Sequence, residues 1–197
     1  MHIFRARRSW LRLAGAVIAL LLVSGILGCP REASDVGAVK TPTKVAATGD
    51  IAPDFVGNDI DGKPIKLSNH LGKQVVLLDF CSTWCEPCVT EFPHLRTLYA
   101  ANKAKGFLIL AISLDGPETV ANVPNFARRN QLSFPMMLDD DSRIAALYNP
   151  RKAAPFAVLI DRTGKIVHMH EGYTAGDELT LATEVAKALG QNMPSPN

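Results

Sequence analysis

Acidic residues are missing from the first 28 positions of this 197-residue chain, while Arg5, Arg7, Arg8 and Arg12 all fall there. That asymmetry accounts for the formal net charge of +2: without those four arginines, 17 Lys+Arg face 19 Asp+Glu, a net of −2. A near-neutral body lacks the basic field that nucleic acid requires, which excludes it as a partner. Cysteine is scarce too, at four residues. A chain of this length buries about two-thirds of its unfolded surface without cross-links, so each cysteine calls for a chemical role. Histidine is sparse, at five residues, and no second Cys-x-x-Cys completes a zinc site with the one at Cys85 and Cys88. There is no internal repeat. Hydrophobic residues at 47% and charged ones at 20% are ordinary globular values, and the length suits one domain plus a short addition.

The addition stands at the front. Residues 1–12 are basic, and 13–27 form an apolar run broken only by Gly15, Ser24 and Gly25, the layout of an export signal. The run is short for a membrane span of about 20 residues. It ends in Ile26-Leu27-Gly28-Cys29, which resembles a bacterial lipobox, with Leu27 bulkier than the usual residue at that place. The resemblance implies a signal peptide over 1–28, cleavage before Cys29, and lipid on its sulfur. The alternative is an uncleaved anchor with an incidental cysteine. Arg7-Arg8-Ser9-Trp10-Leu11-Arg12 also resembles a twin-arginine motif, whereas the strongly apolar run favours general secretion; either route crosses the inner membrane. Residues 30–49, rich in Ala, Thr, Pro and Gly, extend this into a flexible tether over 29–49 that reaches about 25 Å. Residues 191–197 read as a loose tail.

Between tether and tail, residues 50–190 alternate strand and helix. Asp61-Gly62, between Phe55-Val56 and Ile65-Lys66-Leu67, signals a hairpin turn. Residues 75–80 form a short apolar run typical of a strand covered on both faces. A helix is expected over 91–104, stopped by Gly106, and a second buried strand over 107–114. Helix 120–129, strand 134–138 and helix 142–148 follow. Strands 156–160 and 165–168 flank a second hairpin turn at Asp161-Arg162-Thr163-Gly164. Leu179, Ala182, Val185, Ala186 and Leu189 form the apolar stripe of a closing helix over 179–189. The order implies an α/β fold: a central mixed sheet flanked by helices, with an N-terminal β-hairpin extension.

The chemistry centres on Trp84-Cys85-Glu86-Pro87-Cys88, directly after a buried strand and opening a helix. Cys-x-x-Cys beside a βαβ pattern is a redox signature, because one helical turn brings the two sulfurs together. Unpaired N–H groups and the helix dipole at that terminus stabilise a thiolate. Cys85 feels this most and is expected to attack; Cys88, one turn inside, is expected to resolve. Pro87 suits a first helical turn because its missing N–H had no intrahelical partner there. Glu86, when not simply a solvated first-turn carboxylate, opposes thiolate formation at Cys85 and favours a reductant. The dithiol carries the electrons itself, so neither cofactor nor metal is called for.

Extended to Phe80-x-x-x-Trp84-Cys85-Glu86-Pro87-Cys88-x-x-Glu91-Phe92-Pro93, the motif resembles the TlpA/ResA-type thioredoxin-like reductases, which are bacterial and extracytoplasmic. Ala52-Pro53-Asp54-Phe55, Phe134-Pro135-x-x-Leu138-Asp139 and Leu159-Ile160-Asp161-x-x-Gly164 carry the resemblance over nearly all of residues 50–190. It implies a thioredoxin-like fold and a membrane-anchored monomer on the periplasmic side. It implies protein thiol and disulfide substrates such as apocytochrome c, and electrons from an inner-membrane thiol donor. Trp84 belongs to the matched motif beside the active site. A cis-proline loop is implied at Pro155, within Ala153-Ala154-Pro155-Phe156, which lacks the family's usual threonine-like neighbour. Asp79-Phe80-Cys81-Ser82-Thr83-Trp84-Cys85 matches the spacing of the thioredoxin stretch Asp-Phe-Trp-Ala-x-Trp-Cys, which places a buried acid behind the resolving cysteine. Asp79 would then hold a raised pKa and accept a proton from Cys88; the plainer alternative is a carboxylate reaching water or a lysine. Cys81 replaces the family's tryptophan, and reads either as a small buried hydrophobe or as an auxiliary thiol.

Two other functions compete. Ala52-Pro53-Asp54-Phe55 also opens peroxiredoxin-type peroxidases, and Ser82 stands three residues before Cys85, but no proline precedes it and Cys88 makes a dithiol. Copper modules of this fold favour a Cys-x-x-x-Cys spacing that is absent here. His168-x-His170 would share one side of a strand, as a solvated edge rather than a metal site. Cys29→Ser is expected to leave an uncleaved precursor that takes up no labelled fatty acid; unchanged processing and mass would sink the lipid assignment.

Overall fold

The computed structural model describes residues 44–191. The signal segment, Cys29, the tether up to residue 43 and the tail from 192 lie outside the described residues. Folded contacts begin earlier than the expected boundary at 50. Ala46 is buried and its N–H donates to the Leu147 carbonyl (2.9 Å), and Gly49 N–H donates to Ile166 (2.8 Å). A short polar stretch can still be tied down by backbone hydrogen bonds, which composition does not reveal.

β1 (Val56–Asn58) and β2 (Pro64–Lys66) form the small antiparallel hairpin. Its turn is organised by Asp59, whose Oδ1 accepts from the N–H groups of Asp61 (3.0 Å) and Lys63 (2.8 Å), and Gly62 adopts the φ of 78° that the turn demands.

β3 (Val75–Cys81) and β4 (Phe107–Ser113) are buried along their whole lengths and run parallel, joined by α1 (Glu86–Asn102). With β5 (Met136–Leu138), β6 (Phe156–Ile160) and β7 (Ile166–Glu171) they make a five-stranded mixed sheet of order β5-β4-β3-β6-β7. β6 and β7 are antiparallel to their neighbours. Alternation along β3 splits the core in two. Val75, Leu77 and Cys81 pack with Phe92 and Leu95 of α1, Phe126 of α2 (Val123–Arg129), and Leu181 and Val185 of α4 (Asp177–Ala188). Val76, Leu78 and Phe80 pack on the other face with Phe55, Ile65 and Tyr148, the last from α3 (Arg143–Tyr148).

The helical pattern read over 91–104 extends back to Glu86, where the Cys-x-x-Cys motif opens the helix and the Cys85 sulfur caps it. The last strand continues beyond 168 to Glu171. Leu179 is 70% exposed and not part of the buried stripe of α4, which runs through Leu181, Val185, Ala186 and Leu189. Two residues turn a helix by about 200°, so Leu181 facing the core turns Leu179 outward.

Candidate active site

The end of β3 and the start of α1 place the two cysteines. Cys85 is the N-cap residue, extended in backbone, and Cys88 N–H donates to its sulfur (3.2 Å). The cysteines form a disulfide with a Cα–Cα distance of 5.3 Å. Cys88 is fully buried and Cys85 keeps 4% exposure, so the outer sulfur is the one a partner can reach. Glu86 and Pro87 are exposed on the first turn, and Trp84 is 64% exposed beside them. An open depression of about 450 Å³ adjoins this turn, lined by Glu86, Pro87, Thr90, His94, Tyr173 and Ala175.

Asp115, just past β4, clamps the loop leading into Cys85. Its carboxylate accepts from Thr83 N–H (2.9 Å), from the Thr83 hydroxyl and from the Ser113 hydroxyl (2.8 Å). Burial pushes this carboxyl up, but hydrogen bonds from Thr83, Thr119 and Ser113 outweigh it and hold the group below the ordinary range. Sequence reasoning passed over Asp115, although a lone acid closing an apolar strand was a visible signal. Pro155 is buried, and the Ala154–Pro155 peptide is cis. It immediately precedes Phe156, which pairs with Phe80, so it lies at the same end of the sheet as Cys85.

β3 and α1, the elements that place the cysteines, also carry two buried acids. Asp79 is 1% exposed, on the face of β3 that carries Leu77 and Cys81. Glu91 is 8% exposed and lies three residues after Cys88, on the same side of α1. Asp79 Oδ2 and Glu91 Oε2 have no hydrogen-bond partner. Burial pushes both carboxyls well above the usual range, and the charges of Asp79 and Asp177 push Glu91 further. The pair therefore holds a proton near neutral pH that neither acid would hold in water. Glu91 was read only as part of a family motif; its spacing from Cys88 was the available clue.

Cys81 is a buried free thiol. Burial raises its pKa strongly, and the charges of Asp79, Asp115 and Glu91 raise it more, which disfavours the thiolate that exchange requires. His168 and His170 stack with ring centroids 6.3 Å apart, and His170 Nε2 lies 3.1 Å from Asp177 Oδ2. Among the described residues no group of three or more acidic, Cys or His side chains is arranged to hold a metal, and no helix is long and apolar enough to cross a membrane.

Known proteins resemble this chain in sequence and in fold. The model of the AhpC/TSA family matches residues 48–169. Thiol-disulfide oxidoreductase ResA of Bacillus cereus is 36% identical over 168 residues, covering 85% of this chain and 92% of its own length. A Chlorobium tepidum crystal structure, assigned as thiol:disulfide interchange protein DsbE, is 35% identical with a TM-score of 0.68, covering 75% of this chain and all of its own. A thioredoxin family thiol:disulfide interchange protein from the same organism is 26% identical with a TM-score of 0.62, covering 74% of this chain and all of its own. By sequence match and by fold, the chain belongs to the AhpC/TSA family as a thioredoxin-like thiol–disulfide oxidoreductase similar to ResA.

Proposed function

We propose that this oxidoreductase is a reductant of disulfides in exported proteins, held on the periplasmic side of the membrane through Cys29. Apocytochrome c cysteines are the substrate class, and an inner-membrane thiol the electron donor, that the resemblance to ResA-type reductases implies. The observation that carries the direction is the acidic setting of the disulfide. Glu86 flanks Cys85, the buried Glu91 stands three residues after Cys88 on α1, and the buried Asp79 lies on the β3 face whose neighbours pack with both cysteines. Stabilised thiolates make strong oxidants of this fold, because they favour the reduced form. Glu86 and the negative charge that the buried pair shares work against that stabilisation, so the dithiol gives up its electrons more readily.

In the forward reaction the Cys85 thiolate attacks a substrate disulfide, and one substrate sulfur leaves as a thiolate. Cys88 then passes its proton to the Asp79–Glu91 pair and attacks the Cys85 sulfur. The mixed disulfide breaks, the substrate's second thiolate departs, and Cys85–Cys88 is left oxidised. The buried pair fits the second step because the proton released by Cys88 cannot leave through bulk water at a fully buried sulfur. The exposed Trp84 and the depression over Pro87 and His94 offer the substrate chain a surface beside Cys85.

Three outcomes test this reading. The Cys85–Cys88 potential should be about −200 mV or lower, and a value near about −120 mV would mark an oxidant instead. Cys88→Ser should accumulate mixed disulfides through Cys85 and Cys85→Ser almost none; equal trapping by both would reverse the assigned roles. Asp79→Asn and Glu91→Gln should keep the first attack but slow release of the mixed disulfide, by about 100-fold at neutral pH. The same pair should tilt the stability of the oxidised protein with pH. Its folded pKa values are raised, so the native state holds protons that the unfolded chain has lost above about pH 4. Stability is then full below that pH and falls as pH rises through the raised values. Urea midpoints measured from pH 5 to pH 8 should decline in the wild type and less so in Glu91→Gln; parallel declines would show that the pair is ionised throughout.

A further inference from the structure

The two ends of the central sheet differ in charge. β3 and β4 begin at one end, where Val75 pairs with Phe107, and β6 finishes beside them, where Ile160 pairs with Val76. β7 begins there as well, with Ile166 against Ile160. The opposite end, at Cys81, Ser113 and Phe156, carries the active site, and Glu86, Asp115, Glu118, Asp177 and Glu178 lie on the loops and helix starts around it. The far end is basic. Lys73 leads into β3, Lys103 and Lys105 lead into β4, and Arg162 and Lys165 stand in the turn between β6 and β7. Backbone contacts draw these segments together: Gly72 N–H donates to the Arg162 carbonyl (2.7 Å), and Arg162 Nη2 donates to the Lys105 carbonyl (2.9 Å). The four lysines are exposed, and none of the five cations is ion-paired among the described residues. Acids near them are already engaged. Asp50 pairs with Lys44 (2.8 Å) and Glu184 with Lys187 (2.7 Å), while Asp161 accepts from the N–H groups of Thr163 (2.8 Å) and Lys165 (3.0 Å). The C-terminus of α1 accounts for Lys103 and Lys105 locally, but Lys73 and Lys165 stand on turns outside any helix. The same end receives the chain. Gly49 N–H donates to the Ile166 carbonyl (2.8 Å) and Ala52 N–H to the Gly164 carbonyl (2.8 Å), and Ile51 between them bridges Lys165 while 68% exposed. A large apolar side chain thus stands among the cations, where the polypeptide running from Cys29 joins the fold.

We propose that this basic end, with Ile51 beside it, is a docking surface for an anionic membrane, which it meets through lipid phosphate groups. The proposal rests on the reading that the domain is held at the membrane. Docked in this way, the domain turns Cys85 away from the bilayer, toward the aqueous space where exported proteins are met. The body as a whole is slightly acidic, but attraction is decided near the surface. The seven residues of β3 separate its ends by about 20 Å. That is more than twice the roughly 8 Å over which salt screens a charge, so the acids around Cys85 do not cancel the pull on the lysines. Each cation at an anionic surface multiplies membrane partition by about fivefold, and an apolar side chain entering the headgroups adds to it. The attraction is non-covalent and screened by salt, so the domain also lifts off, and a membrane-embedded thiol donor reaches Cys85 in that undocked orientation.

The experiment follows hydrogen–deuterium exchange of the full chain on vesicles of phosphatidylcholine, with or without phosphatidylglycerol, in low and high salt. On the anionic vesicles the amides of residues 72–74, 103–106 and 162–165 should exchange about fivefold more slowly than on neutral ones. Residues 84–90 should exchange alike on both. High salt should remove the slowing, and so should the variant Lys73→Gln/Lys103→Gln/Lys105→Gln/Lys165→Gln, which drops the charge and keeps the length of each side chain nearly the same. A urea midpoint matching the wild type shows that this variant folds; if it does not, Lys73→Gln and Lys165→Gln singly should each remove part of the slowing. Equal exchange on both kinds of vesicle, slowing that the glutamine variants keep, or slowing centred on residues 84–90 would overturn the docking surface. Flotation of the same samples separates the two readings. A chain that leaves phosphatidylcholine vesicles, yet shows the lysine-dependent slowing on anionic ones, loses its anchor and keeps the surface. One that stays on phosphatidylcholine vesicles without any such slowing on anionic ones keeps the anchor and loses the surface.

Discussion

β3 is hydrogen-bonded along both edges, parallel to β4 and antiparallel to β6, and no residue of it reaches solvent. Such pairing admits no slip, because a one-residue shift would turn Asp79 and Cys81 out of one core and into the other. With the register held, the strand delivers the chain at Cys81 into a short loop that Asp115 clamps from the end of β4. α1 begins there, capped by the sulfur of Cys85. The antiparallel neighbour brings Pro155 to the same end of the sheet. The two cysteines and the proline loop therefore owe their common address to one strand's ladder.

The cost of this arrangement is concentrated in two carboxyls. An unpaired carboxylate in an apolar interior is strongly disfavoured, and the molecule answers by keeping protons on Asp79 and Glu91 rather than by neutralising them with a cation. A hydrophobic pair of similar volume would be expected to pack with greater stability. What the acids keep instead is a proton at a pH where an ordinary carboxylate would be empty. Burial, with the neighbouring acids adding to it, likewise holds Cys81 as a protonated thiol one residue from the active loop.

Asp115, just past the end of the neighbouring strand, behaves in the opposite way. It too is buried, but hydroxyl and amide donors reach both of its oxygens and keep it ionised. Asp115 fixes a loop because it is hydrogen-bonded, whereas Asp79, whose Oδ2 has no such donor, keeps a raised pKa.

Much of this was legible in the sequence because it is local. Apolar runs specify β3 and β4, Asp61-Gly62 specifies the hairpin turn, and Cys85-Glu86-Pro87-Cys88 specifies a redox pair at a helix start. The spacing of Asp79 from Cys85 marked a buried acid, and the structure buries it. What the sequence by itself did not determine depends on pairing between distant segments. Ala46 is held by Leu147, Asp115 reaches back to Thr83, and Leu179 turns out because Leu181 turns in. The row Asp79–Ala157–His170 joins residues spread over 92 positions of chain, and no periodicity within any one segment encodes which residue of β6 stands beside which residue of β3. Local chemistry is written in nearest neighbours along the chain, whereas the register that sets one strand's residues beside another's exists only once the strands have paired.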